Sequence, residues 1–162
     1  HDALPILVPA ILYRDQIERE FQKLYYTKDM LFETGCLGQW TPEISDNPDD
    51  GRFDFAIVSN NKLIGYLSYQ VDYYVSKAYN FGLMSFDRGN PVVGKDVFEK
   101  LEELTSTLHR VEWRMIGGNP AERSYDKFCE KHSGNKHALK DSVRDATGNY
   151  RDDVIYEIVN SD

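Results

Sequence analysis

Hydrophobic and polar positions along this chain change period several times, and each change marks an element. After Asp15, the apolar residues Ile17, Phe21, Leu24 and Tyr25 recur at helical spacing, which predicts an amphipathic helix packed on a larger body. Asp15 stands where an N-cap would, with Glu18 three residues on in capping-box position. FDFAIVS then alternates with period two, Asn60-Asn61 marks a turn, and KLIGYLSYQVDYYV returns, so the pair predicts a hairpin. Strict alternation places Leu63, Gly65, Leu67, Tyr69, Val71 and Tyr73 on one face of the return strand. Ile64, Tyr66, Ser68, Gln70 and Asp72 fall on the other. A further strand, YNFGLMSFD, ends at Asp87. The loop DRGNPVVGK leads from it into a helix from about Gly94 to Leu108, with Val97, Phe98, Leu101, Leu104 and Leu108 as its buried stripe.

VEWRMIG reads as a short strand with Val111, Trp113 and Met115 on one side and Glu112 on the other. Asn119 caps the next helix, with Pro120 at its first position and Glu122 three residues after the cap. Tyr125, Phe128, Cys129 and His132 form its stripe. HALKDSVRDA and YRDDVIYEIV, joined by Thr147-Gly148-Asn149, predict a closing antiparallel hairpin. Between the first helix and the first hairpin, Gly35 to Arg52 reads as a long polar loop. Trp40 in it is either a lid over a ligand or an anchor. The strand–loop–helix–strand unit from Asn80 onward implies a parallel pair of strands and leaves its helix start open to an anion. Together these elements predict one α+β domain spanning 1–162, a mixed, mostly antiparallel twisted sheet flanked by helices.

Composition narrows the function. A net charge of −8 over 162 residues argues against a nucleic-acid partner. Cys36 and Cys129 fit neither a disulfide framework nor a zinc site, and His109, His132 and His137 lack metal spacing, so no metal is expected. No apolar run reaches the length of a membrane span, and HDALPILVPAIL lacks the basic start of a signal peptide, which makes a cytoplasmic location the default. A homodimer is compatible with all of this.

Four stretches together resemble the GNAT superfamily of acyl-CoA-dependent N-acyltransferases. NNKLIGYLSY is similar to the family's third strand, and FGLMSFDRGNPVVGKDVFEKL stands in the place of its pyrophosphate loop. VEWRMIGGNPAERSYDKF is similar to the strand, Asn and Tyr-bearing helix beside the cofactor's thiol. VRDATGNYRDDVIYEI is similar to the closing hairpin of the ribosomal-protein-acetylating branch. The family's loop signature, Gln/Arg-x-x-Gly-x-Gly/Ala, is met here by Gly89-Asn90-Pro91-Val92-Val93-Gly94, with Val92 in place of the middle glycine.

The resemblance implies acetyl-CoA as co-substrate and an amine-bearing small molecule or peptide as acceptor. Its pantetheine arm would lie between Leu83–Phe86, with Ser85 and Phe86 in contact, and Trp113–Ile116. Gly89, Asn90, Val92, Val93, Gly94 and Lys95 would meet the pyrophosphate. Lys95 could equally be a solvated lysine, and Asn119 could hold the arm or serve only as a cap. Tyr125 would protonate the leaving thiolate, or else belong to the core: it follows Asn119 by six residues, where many family members have seven. Asp72 is the candidate base, with Asp87 and Glu112 as others. The acceptor groove would be formed by the first helix, the 35–52 loop and the face bearing Tyr66, Ser68, Gln70 and Asp72, and would suit a cationic amine. The alternative is a non-catalytic GNAT-fold binding module with a degenerate loop.

Overall fold

The computed structural model describes residues 6–27, 32, 42–47, 49–87 and 92–161. The expectations for Cys36, Trp40, Arg88, Gly89, Asn90 and Pro91 lie outside the described residues, as do the side chains of Val92 and Val93. Seven strands form one sheet in the order β1-β2-β3-β4-β5-β7-β6. They are β1 (Ile6–Pro9), β2 (Arg52–Ser59), β3 (Lys62–Asp72), β4 (Lys77–Ser85), β5 (Arg110–Ile116), β6 (Asn135–Arg144) and β7 (Tyr150–Val159). All neighbours are antiparallel except β4 and β5, which run parallel because α2 (Val92–Thr107) carries the chain across between them. Helices α2 and α3 (Glu122–Lys131) pack on one face, and α1 (Arg14–Tyr25) packs on the other. Among the described residues no helix is long and apolar enough to cross a membrane.

β3 lies at the centre of the sheet's left half and is buried on both faces, as its near-continuous apolar run requires. Its turn from β2 uses Asn60 and Asn61 at φ 51° and 61°, the left-handed pair of a tight hairpin. A bulge follows, because Val58 pairs with Leu63 and Ile57 with Gly65, leaving Ile64 as the extra residue. That bulge overturns the simple alternation. Leu63 joins Ala56, Val58, Tyr66 and Met84 beneath α1, while Ile64, Leu67, Tyr69 and Val71 belong to the core under α2 and α3. Gly65 is required there, since a β-carbon would stand 2.9 Å from the Met84 carbonyl oxygen.

Three local readings also change. β1 is an edge strand too short to show a period; it pairs Ile6 with Val58 and ends at Pro9. Asp15 is not an N-cap. A 3₁₀ turn over Ala10–Tyr13 runs straight into α1, whose cap position is Tyr13 with no side-chain hydrogen bond. Asp15 instead lies in the first turn, where its charge suits the helix dipole. β3 ends at Asp72 rather than Val75, because the Asp72 Oδ1 accepts hydrogen bonds from the Tyr74 and Val75 amides at 3.0 and 3.4 Å and closes an Asx turn.

Candidate active site

β4 and β5 are zipped at one end and part at the other. Their register pairs Lys77 with Arg110, Ala78 with Val111 and Phe81 with Trp113, with an irregularity where Tyr79 and Asn80 face a single residue, Glu112. Asn80 takes φ 49° in this bulge. Beyond Phe81 and Trp113 the two strands follow different neighbours. β4 stays with β3 to the Ser85–Gly65 pair, and β5 stays with β7 to the Ile116–Asp153 pair. The chain enters α2 from this parted end. A β-carbon added at Gly94 would meet nothing within 4 Å among the described residues.

Trp113, the last β5 residue in register with β4, anchors an aromatic cluster. Its ring stacks on Tyr156 with centroids 5.1 Å apart and planes 13° from parallel, and it packs against Tyr125 and Phe128 at 5.9 Å each. Tyr125 is also 5.5 Å from the Phe98 ring of α2, and is only 7% exposed. The Tyr156 hydroxyl donates to Asp126 Oδ1 at 2.6 Å, and Lys136 closes ion pairs of 2.9 Å with both Asp126 and Glu122. Burial, reinforced by Asp126, pushes the Tyr156 phenol well above its ordinary range. Trp113 Nε1 is buried with no partner among the described residues.

The residues expected to bind or react do not all converge. Ser85 and Phe86 end β4 half-buried at the parted end, with the Phe86 amide bonded to the Ile64 carbonyl at 2.9 Å. Lys95 is exposed and pairs with Glu99 at 3.7 Å. Asn119 serves the turn before α3: its Oδ1 accepts from the Ala121 amide at 2.8 Å and its carbonyl from the Glu122 amide at 2.9 Å. Glu122 Oε1 reaches back to the Gly118 amide at 3.0 Å. The formal cap is Ala121, so the helix starts later than Asn-Pro predicts. One of the two Asn119 side-chain N–H donors goes to the Phe32 carbonyl at 3.1 Å, which leaves the other for a ligand.

Asp72, the candidate base, lies away from the parted end. It sits exposed in the β3–β4 turn, its Oδ1 held by two amides, at the zipped end of the sheet beside Lys77 and Arg110. Tyr125 lies against Trp113 at the other end, so the structure does not bring the two together. Glu112 is likewise committed, paired with Arg110 at 3.0 Å and Lys77 at 3.8 Å. His132 bonds Glu102 at 3.1 Å and stacks on Phe128, a satisfied histidine. His132 and then Lys131 hold the Glu102 carboxyl below its usual range, against a slight upward push from burial. Among the described residues no group of three metal-binding side chains occurs.

The opposite face of the parted end carries Tyr66, Ser68 and Gln70, which the sequence reading named, together with Arg52, Asp54, Arg114 and Asp153, which it did not. Ser68 and Tyr66 flank Gly82 and Met84 of β4, and the Tyr66 hydroxyl donates to Asp54, which also binds Arg52 at 3.1 Å. Burial first, and Asp54 second, raise the Tyr66 phenol far above its ordinary range. Across the gap, Arg114 of β5 pairs with Asp153 of β7 at 2.6 Å. The alternation that puts Trp113 and Met115 in the core implies Arg114 on the other face, but its partner lies 39 residues away. With Arg52 and Arg114 beside Asp54 and Asp153, acid and base are balanced on this face. Gln70 accepts from the Asn80 side chain at 2.6 Å. In α2, Asp96 is buried with Oδ2 unpartnered, and burial followed by Glu99 raises its carboxyl to about 6.

No family model and no curated protein matches the sequence. Solved structures do match. The microcin C7 self-immunity acetyltransferase MccE, solved with acetyl-CoA and AMP, aligns over 96% of this chain and 92% of its own at TM-score 0.62 and 16% identity. The ribosomal-protein-S18-alanine N-acetyltransferase from Escherichia coli aligns over 100% and 96% at TM-score 0.60 and 14% identity. A spermidine N-acetyltransferase SpeG chimera from Vibrio cholerae and hSSAT aligns over 97% and 96% at TM-score 0.63 and 15% identity. At these identities the likeness speaks for architecture: the chain has the fold of the GNAT acetyltransferases.

Proposed function

We propose that the protein is an acetyl-CoA-dependent N-acetyltransferase that transfers the acetyl group directly to a primary amine. The observation that carries this reading is the parting of β4 and β5 after Phe81 and Trp113, at the end of the sheet where α2 begins. Two strand edges that separate offer amides and carbonyls to a thin, extended ligand laid between them. Acetyl-CoA would supply an acetyl thioester on such an arm. Two local features support the fit. Trp113 Nε1 is a buried donor with no acceptor among the described residues, and a β-carbon at Gly94 would meet none of them within 4 Å. Backbone amides of Val92, Val93, Gly94 and Lys95 at this helix start suit a pyrophosphate. Gly89 and Asn90 would complete the loop, and Lys95 could add its charge.

In this reading Tyr125 donates its phenolic proton to the departing thiolate. A phenol near pKa 10 stays protonated at neutral pH and is matched to a thiol near 8.5. The acceptor gives its own proton to water or to Asp87, which lies half-buried two residues past the end of β4, since Asp72 and Glu112 sit at the zipped end. The amine enters from the α1 face, between Tyr66 and Ser68 on one side and Arg114 on the other.

A competing reading, a binding module without catalysis, draws on Asp96: a carboxylate buried near the helix start opposes an anionic ligand. Thermal unfolding with desulfo-CoA and acetyl-CoA separates the two. Saturation at a hundredfold over Kd adds about 2.7 kcal/mol of stability. Gly94→Pro removes one amide in the first turn, where no intrahelical acceptor exists anyway. It should weaken cofactor affinity about tenfold, or ~1.4 kcal/mol, with the helix intact. No shift for the wild type at millimolar cofactor sinks the acyltransferase reading.

A further inference from the structure

Two arginines stand on the same face of β5, and only one has its charge fully matched. Arg110 binds Glu112 at 3.0 Å through one terminal nitrogen and Glu157 at 2.6 Å through the other. Arg114, two pleats further toward the parted end, has Asp153 as its single partner among the described residues, at 2.6 Å through one terminal nitrogen. Its Nε is buried without an acceptor, while the side chain as a whole stays 36% exposed. Asp153 is 1% exposed, and its Oδ1 has no donor. A carboxylate buried that deeply with one partner is costly unless it holds something in place, and what it holds is the Arg114 guanidinium.

We infer that Arg114, positioned by Asp153, reads a carboxylate on the acceptor, and that the acceptor is a small molecule carrying amine and carboxylate close together, as an α-amino acid does. This rests on the acyltransferase reading for what happens to the amine, though the recognition itself does not need it. The placement sets the class. Arg114 directly follows Trp113, the last residue paired with β4, and faces the side from which an amine would reach the gap. The Arg114 backbone lies one strand residue, about 3.3 Å, past the last β4 pair, and its side chain turns to the acceptor face, so an amine at the gap and a carboxylate on this guanidinium fit within one compact molecule. The planar guanidinium, with Nη2 anchored on Asp153 and Nε buried, has its Nη1 side left for a carboxylate, held in an orientation that a flexible lysine cannot match. Arg110, at the zipped end with both terminal nitrogens engaged, serves as the internal control.

The test uses the intact protein labelled with ¹⁵N-arginine, the Arg114 Nε–H signal being assigned by its loss in Arg114→Lys. The twenty L-amino acids are titrated, each beside its C-terminal amide. At least one acid should move the Arg114 signal, leave that of Arg110 in place, and bind at least tenfold tighter than its amide. Arg114→Gln should erase the difference between acid and amide. Asp153→Asn should weaken it and broaden the Nε signal; should that variant fail to fold, Arg114→Gln at a half-exposed position carries the test alone. If turnover is present, Arg114→Gln should raise the acceptor KM while kcat stays within about twofold. Equal affinity for every acid and its amide, or a still Arg114 signal across the panel, overturns the inference. Failure of desulfo-CoA to stabilise the protein sinks the acyltransferase reading separately, because the arginine signal is read without cofactor.

Discussion

The two ends of the β4–β5 pair are built to opposite standards. At the zipped end nearly every polar group is matched. Lys77, Glu112, Arg110 and Glu157 form a continuous ladder of ion pairs across β4, β5 and β7, and a hydrogen bond of 3.0 Å between Glu157 and His137 extends it to β6. Ser76 accepts through its carbonyl from the Arg110 amide and through its hydroxyl from the His109 amide, each at 3.0 Å. Asn160 closes the end of α2 by donating to the Thr105 and Leu108 carbonyls at 2.5 and 2.8 Å. At the parted end the standard drops. Of five buried side-chain atoms without partners among the described residues, four lie there or near the start of the helix that begins there, Asp96 Oδ2, Trp113 Nε1, Arg114 Nε and Asp153 Oδ1, while the fifth, Thr105 Oγ1, lies toward the far end of that helix. Buried polar groups are normally paired, so a cluster of exceptions marks where the fold gives up stability for something else. A shallow cleft of about 720 Å³ does lie at the zipped end, lined by Tyr74, Thr105, His109, His132 and Asn160 among others. Ser76, Ser106, Thr107, His132 and Asn160 of its lining have their side chains committed to hydrogen bonds of the fold, which is why volume alone does not locate the chemistry.

Trp113 is where the two ends meet, and its removal is the harshest way to break the contrast. It is 2% exposed and packs against Tyr125, Phe128 and Tyr156. Trp113→Ala should lower unfolding stability by about 3–5 kcal/mol in urea titration. A loss under 1 kcal/mol would mean that the aromatic cluster does not hold the sheet where it divides.

This division of labour explains what could be read in the chain beforehand. The β2–β3 hairpin, the α2 stripe, the Tyr125–Phe128–Cys129 stripe and the β6–β7 hairpin were legible, because each rests on local period and turn chemistry. Short β1 carries too few residues for a period to show. The bulge at Ile64 inverts the face of Leu63 without any signal in composition. Asp72 looked like one more residue of an alternating strand, but an aspartate followed by residues whose amides can turn back on it ends the strand instead. The pairing of Arg114 with Asp153 is a property of the β5–β7 register alone. Sequence reasoning therefore named the strands that part and the Tyr66, Ser68 and Gln70 face beside them, and missed the Arg114–Asp153 pair because it depends on long-range register.

Tyr125 sharpens the comparison at the parted end. It shares the aromatic cluster but is assigned a proton to deliver, so deleting its hydroxyl should separate packing from chemistry. Tyr125→Phe should lower kcat for acetyl transfer about a hundredfold, equivalent to ~2.7 kcal/mol, and leave desulfo-CoA affinity within twofold. Unchanged turnover would return Tyr125 to the core beside Phe98 and Phe128.

The smallest effect belongs to the zipped end, and there the expectation is one of silence. Asp72→Ala removes the acceptor that closes the β3–β4 turn, a loss of about 0.5–1 kcal/mol in stability for exposed side-chain–backbone bonds of this kind. Acetyl transfer should continue at the wild-type rate and with the wild-type pH dependence, since nothing links this carboxylate to the gap four residues up the sheet. The measurement is a pH–kcat profile of the two proteins side by side. A limb that vanishes with Asp72 would place a proton-transfer group at the matched end of the strands, and the contrast between the two ends would then describe packing alone, with no bearing on where the reaction occurs.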